Sequence, residues 1–309
     1  MKQTLIPPRL QEGDIIGVVS PSSPPHEEAD ILRGIAALSA DGHYLRIGRS
    51  VGAQDGYLAG SDTMRAGDLM DMFADERVRA IFATRGGYGA ARLLGLLDYT
   101  VIRRHPKILV GFSDITALSL GLFAKTRLVT FAGPMVAAEF ASGMLPVTAD
   151  ALWRMLRRRI GRQKLPQCEA TEIMMGGSAE GTLLGGNLAV LCSLIGTPWL
   201  PDLRGAVLFL EDVGESVYRI DRMLLQLREA GILRGLAGLL LGGFTAIPEV
   251  LRDRELPEVL REYFLPLNIP VLTGIPFGHF PEKITLPLGS RVRIDTQRHS
   301  VTVLEAVVS

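Results

Sequence analysis

The chain has 309 residues, 47% of them apolar, and basic and acidic side chains in equal number, 33 of each. That length exceeds one ordinary hydrophobic core and suits two domains. A formal charge of zero excludes a general attraction to nucleic acid or to an anionic membrane, and Cys168 and Cys192 fit neither a metal spacing nor a disulfide framework. The opening MKQTLIPPRLQEGD lacks the apolar core of a signal peptide. No run approaches the roughly 18 apolar residues of a membrane span. The expectation is a soluble cytoplasmic protein.

Residues 1–12 read as an arm. DIIGVV at 14–19 is the first expected strand, and Ser20–Pro25 is the loop at its C-terminal end. A helix follows over 27–38, with Ile31, Ile35 and Leu38 on one face. Further strands are expected at 44–47, 78–83, 108–110 and 128–131, with helices at 62–73 and 90–97 and after Asp114. This alternation predicts a mostly parallel sheet covered on both faces, occupying residues 1–145. In such a sheet ligands sit beyond the C-terminal strand ends. Three loops converge there: Ser20–Pro25, Thr84–Gly89 and Gly111–Asp114.

A basic amphipathic helix over 148–160, capped by Thr148 and flanked by Pro146 and Pro166, reads as a linker that ends at 168. The second domain, 169–309, is expected to mix strands and helices less regularly. Strands are read at 179–184, 206–210, 236–241 and 271–273, and antiparallel ones at 283–286, 291–295 and 300–306. Its helices are read at 188–194, 218–230 and 257–263.

The chain is organised around KILVGFSDITALSLGL at 107–122. A serine between a buried strand and a helix can stand on a sharp turn, with the N–H groups of the next helix favouring a developing anion. The usual second glycine is replaced by Ile115, so Ser113 is either a nucleophile or, with Asp114, a helix cap. Glu211 follows five apolar residues, and a carboxylate at the rim of a core strand needs a partner. His279, framed by Gly278 and Phe280, is the histidine best placed to face a cleft. Ser113, His279 and Glu211 together form a candidate triad: attacking hydroxyl, base, and orienting acid. The alternative leaves a glutamate in a salt bridge and a histidine packed on Phe277. No pattern of metal ligands is present, and no cofactor is expected. Arg85 in RGGYG is either a two-pronged carboxylate clamp or a solvated loop arginine.

With these residues in view the sequence resembles the LD-carboxypeptidase family, which includes muramoyltetrapeptide carboxypeptidases and microcin-C immunity peptidases. The resemblance runs from about Gly13 to Leu286. It is carried by GDIIGVVSPSSP at 13–24, ATRGGYGAARLL at 83–94 and KILVGFSDITAL at 107–118. It continues with GGNLAVLCSLIGTPW at 185–199, LFLEDVGESVYRIDRML at 208–224 and GIPFGH at 274–279.

The resemblance implies a flavodoxin-like parallel α/β domain followed by a smaller mixed α/β domain, with the site between them. It implies Ser113, Glu211 and His279 as the triad, and an oxyanion hole from the backbone N–H groups of Gly87 and Asp114. It also implies a metal-free homodimer acting in the cytoplasm on small murein peptides, with neither nucleic acid nor membrane as partner. A substrate with a free carboxylate calls for donors, for which Arg85, Asn187 and Ser22 are candidates. Members that cleave peptidyl-nucleotide antibiotics stack an aromatic side chain on the base, and Trp199 is either such a platform or core packing. The segment 244–256 is short and holds no tryptophan, which favours the murein reading.

Overall fold

The computed structural model describes residues 4–166, 170–251 and 254–309. Cys168 and the expected domain boundary at 168/169 fall outside the described residues, as do positions 252–253 of the segment 244–256.

The first half alternates strand and helix as the apolar pattern predicts. β1 (Ile15–Val19), α1 (Glu28–Ala40), β2 (Tyr44–Ile47), α2 (Asp62–Ala74) and β3 (Val78–Ala83) come first. A 3₁₀ turn at Ala90–Leu96 leads to α3 (Tyr99–Arg104), β4 (Ile108–Val110), α4 (Thr116–Thr126) and β5 (Thr130–Ala132). The helix α3 was not expected. Asp98 explains it, because its carboxylate accepts from the N–H groups of Thr100 and Val101. Strands β1 to β5 run parallel to one another. Apart from the edge strand β2, whose Tyr44 and Ile47 are exposed, they are largely buried on both faces, with Ile16, Val18, Phe82, Val110 and Phe131 wholly shielded. Each such side chain contributes about 1.5–3 kcal/mol of transfer free energy.

The second half contains α5 (Pro146–Arg157), β6 (Gln163–Lys164), β7 (Glu172–Met175), β8 (Ser178–Asn187), α6 (Leu188–Ser193), β9 (Ala206–Val213) and α7 (Val217–Glu229). After these come β10 (Gly238–Thr245), α8 (Leu256–Phe264), β11 (Val271–Thr273), β12 (Leu286–Leu288), β13 (Arg291–Asp295) and β14 (Ser300–Val303). Among the described residues these strands, without β12, form a mixed sheet in the order β6-β14-β13-β8-β9-β10-β11-β7. Its centre, β8-β9-β10-β11, is parallel and its flanks are antiparallel.

Two expectations are corrected. The strand read at 283–286 lies at Leu286–Leu288 and joins the first sheet, antiparallel to β5. A long-range return of this kind leaves no local pattern to read. Thr148 does not cap α5, whose N-cap is Leu145 with Pro146 in the first turn. The buried Thr148 hydroxyl instead accepts from the Lys283 N–H at 3.0 Å. The first contact joins the C-terminal segment to the first sheet, and the second ties it to α5.

Lys107, just before β4, is buried, and its ammonium donates to the carbonyls of Asp75 (2.7 Å) and Val78 beyond the end of α2. Burial, with Arg79 nearby, pushes it down to about 8. The folded protein therefore sheds this proton before the unfolded chain, whose lysine titrates at about 10.4. Below pH 8 both states hold it; between about pH 8 and 10 the unfolded chain binds more, so stability rises with pH across that window. Urea midpoints at pH 7 and 9.5 should show that rise in the parent relative to Lys107→Met. Equal pH dependence in the two proteins would contradict the assignment.

Candidate active site

The loops at the C-terminal ends of β1, β3 and β4 do converge. The Ser23 N–H meets the Gly86 carbonyl at 3.4 Å, and the Ser23 hydroxyl accepts from the Tyr88 N–H at 3.0 Å. The Ser22 hydroxyl donates to Asp114 Oδ2 at 2.6 Å, and the Ala90 N–H reaches the same oxygen at 2.8 Å. Burial pushes the Asp114 carboxyl above the usual aspartate range, against the opposing pull of these two donors. Neither Ser113 nor Asp114 spends its side chain capping the following helical turn. Asp114 ties the loops together.

Ser113 follows β4 through Gly111 and Phe112 and has φ +62°, a left-handed conformation uncommon for a residue with a Cβ. Holding it there costs about 1–2 kcal/mol, which the surrounding structure must supply. The turn points the chain directly into the helical segment that becomes α4. Gly86 makes room for it. A Cβ at position 86 would lie 2.8 Å from Ser113 Cβ and 3.0 Å from its Oγ.

Glu211 lies near the end of β9, paired in register with Asn187 of β8. Its side chain is only 3% exposed and its Oε2 lies 2.7 Å from His279 Nδ1. The neighbouring Asp212 points the other way, as alternation along a strand requires. It accepts from Asn187 Nδ2 (2.8 Å) and from the N–H groups of Ala189 (3.0 Å) and Val213 (2.8 Å). Burial pushes the Asp212 carboxyl up as well. Of the adjacent acids, Glu211 therefore serves the histidine and Asp212 serves the start of α6.

The histidine ring packs edge-on against Phe112, with centroids 5.0 Å apart, so it stands beside the residue preceding Ser113. Ser113, Glu211, Phe277 and Gly278 line one cavity at the joint of the two sheets, with Thr116 and Lys283. The Thr116 hydroxyl accepts from the Asn187 N–H at 3.0 Å and fixes α4 to the end of β8. Lys283 is buried, pairs with Glu139, and sits 4.1 Å above the Phe112 ring. Sequence reading missed Lys283 and Glu139, since single charges in loops give no periodic signal.

The remaining candidates separate by what they touch. Arg85 is half-buried; its Nη1 donates to the Pro24 carbonyl at 3.1 Å, and no carboxylate among the described residues pairs with it. Burial lowers its affinity for the proton without threatening its charge. Both ends of the Asn187 amide are committed, one to Asp212 and one to the Val190 N–H. Trp199 stacks on Tyr99 at 5.7 Å, under the Lys125 ammonium. Lys125 lies in the last turn of α4, about 13 Å along the helix from Thr116, so Trp199 is remote from Ser113. Cys192 is buried, with its thiol pushed up to about 12, and is inert as a nucleophile at neutral pH.

A two-domain α/β fold with a serine in a left-handed turn, and a buried glutamate hydrogen-bonded to a part-exposed histidine at its joint, fits a hydrolase of the serine peptidase type. The chain belongs to the LD-carboxypeptidase family: residues 16–133 match the model of the family's N-terminal domain and 180–294 that of its C-terminal domain. A probable murein peptide carboxypeptidase of Bacillus subtilis is 36% identical over 98% of this chain and 95% of its own. The crystal structure of a muramoyltetrapeptide carboxypeptidase from Oxalobacter formigenes superposes with a TM-score of 0.83 at 32% identity, over 94% of this chain and 97% of that one. The wild-type structure of the microcin C7 self-immunity protein MccF superposes with a TM-score of 0.93 at 29% identity, over 99% and 100%; the Escherichia coli MccF sequence is 30% identical over 97% of this chain and 96% of its own.

Proposed function

We propose that this protein is a metal-independent serine LD-carboxypeptidase that removes the terminal D-alanine of the murein tetrapeptide, at the bond after meso-diaminopimelate. The observation that carries the reading is the hydrogen bond between the buried Glu211 and the part-exposed His279, in the same cleft as a serine in a left-handed turn. Ser113 attacks the scissile carbonyl while His279 takes its proton and returns it to the departing D-alanine amine. Glu211 holds the Nδ1 proton and stabilises the imidazolium. The N–H groups of Gly87 and Asp114 receive the oxyanion. Water then releases the acyl-enzyme by the same base.

Arg85 is the proposed clamp for the free carboxylate of the substrate, because it is the half-buried cation of the RGGYG loop without a carboxylate of its own. Ser22 and Asn187 contribute by holding Asp114 and Asp212. The reading includes a cytoplasmic homodimer and recycled murein peptides as the substrate pool.

A second reading, cleavage of an amide in a peptidyl-nucleotide antibiotic, is supported by the close superposition on MccF. The position of Trp199 weighs against it, because a ring stacked on Tyr99 is not free to stack on a base at Ser113. Comparing kcat/KM for the free tetrapeptide and for an aspartyl-sulfamoyl adenosine decides between them. The murein reading predicts a preference for the tetrapeptide of at least about 10²-fold, unchanged by a chelator; the reverse preference would overturn it.

A further inference from the structure

Arg65 is wholly shielded from solvent, an unusual place for a guanidinium. It stands in the first turn of α2 at the head of an apolar stripe that continues with Leu69, Met72 and Phe73. Its Nε donates to the Gly60 carbonyl at 3.2 Å, and its Nη1 donates to the carbonyls of Pro21 and, at 3.0 Å, Gly89. Its Nη2 donates to Asp62, which Arg92 also holds, at 2.7 Å. One planar group thus binds the loop after β1, the loop before α2 and the loop after β3.

Pro21 and Gly89 matter because of their neighbours in the chain. Pro21 precedes Ser22, and Gly89 precedes Ala90. Ser22 Oγ and the Ala90 N–H are the two donors that fix the Asp114 carboxylate. Gly87, the other oxyanion donor in the reading above, lies two residues before Gly89. We propose that Arg65 is a positioning residue that sets the separation of the Gly87 and Asp114 N–H groups through its hold on Pro21 and Gly89. A lysine keeps the charge but lacks the planar fork that reaches three carbonyls at once. The proposal rests on the Ser113 reading.

The test compares the parent with Arg65→Lys and with Asp62→Asn, which loosens the guanidinium from its solvent side. Three quantities are read: hydrolysis of the tetrapeptide, inhibition by the substrate tripeptide ending in an aldehyde, and affinity for the tripeptide product. The aldehyde forms a tetrahedral adduct with Ser113 whose oxyanion draws fully on the hole; the planar product carboxylate forms no adduct and depends on the hole far less. Arg65→Lys should lower kcat and weaken the aldehyde together by about 10²-fold, the scale of one misplaced oxyanion donor, with KM and product affinity within about threefold. Asp62→Asn should give about a fivefold loss of the same pattern. If Arg65→Lys fails to fold, Asp62→Asn decides alone.

Aldehyde inhibition and kcat within threefold of the parent in folded variants would overturn the proposal and leave Arg65 as a structural tie. Equal losses of aldehyde and product binding would also overturn it, since they would report a generally damaged cleft. A parent that neither hydrolyses the tetrapeptide nor binds the aldehyde would contradict the Ser113 reading instead, and this is seen before any variant is compared.

Discussion

Replacing His279 with alanine is expected to lower kcat by about 10⁴-fold while leaving the circular dichroism spectrum and KM close to those of the parent. His279 is 23% exposed at its side chain, and its hydrogen-bond contact is with Glu211. Its removal leaves the sheets intact and, on the proposed mechanism, takes the base from Ser113. Glu211→Gln probes the same unit from the other side. The amide is nearly isosteric, yet it cannot stabilise an imidazolium and does not enforce the tautomer with its proton on Nδ1. A loss of about 10³–10⁴-fold in kcat is the expected result. Because the residues act as a unit, the double variant should be little worse than either single one. Steady-state kinetics on the free tetrapeptide measure all three. A His279→Ala protein with most of its turnover would remove the histidine from the mechanism.

The second large effect is expected at a residue with no side chain. Gly278 has φ +91°, and a Cβ there would lie 2.6 Å from Glu211 Oε2 and 2.8 Å from its Cβ and Cγ. Gly278→Ala must therefore strain the backbone and push away the oxygen that holds His279 Nδ1. The expected result is a loss of about 2–3 kcal/mol in stability and a fall in kcat of at least about 10²-fold, with KM changed far less. Thermal unfolding and kinetics on the same preparation separate the two effects. Full kcat in a merely less stable protein would show that the glycine serves the fold alone.

The sequence carried the parallel part of the first sheet well because most of its strands are short apolar runs that end in glycine, serine or threonine, and α1 and α2 each keep one apolar stripe. KILV followed by Gly111 placed Ser113 at a strand end. Its left-handed φ was not legible, since that conformation is signalled by glycine and here the supporting glycine is Gly86, far away in sequence. Glu211 was legible as a carboxylate at the rim of a core strand, and strand alternation sends it to His279 and its neighbour Asp212 to α6. Thr148 had the chemistry of a cap, but Pro146 takes the first turn and Thr148 is drawn to Lys283. Arg65 carried a signal that went unused, an arginine at an apolar position of α2. Leu286–Leu288 crosses back to pair with β5, a contact set by tertiary packing and invisible to any local pattern.

The most direct test is mass spectrometry of the purified protein incubated with L-Ala-γ-D-Glu-meso-Dap-D-Ala, beside the isomer ending in L-alanine and a Ser113→Ala control. Release of D-alanine from the first peptide only, and none with Ser113→Ala, is the predicted result. Release that persists in Ser113→Ala, or no release from the D-alanine peptide by the parent, would contradict a Ser113-dependent LD-carboxypeptidase.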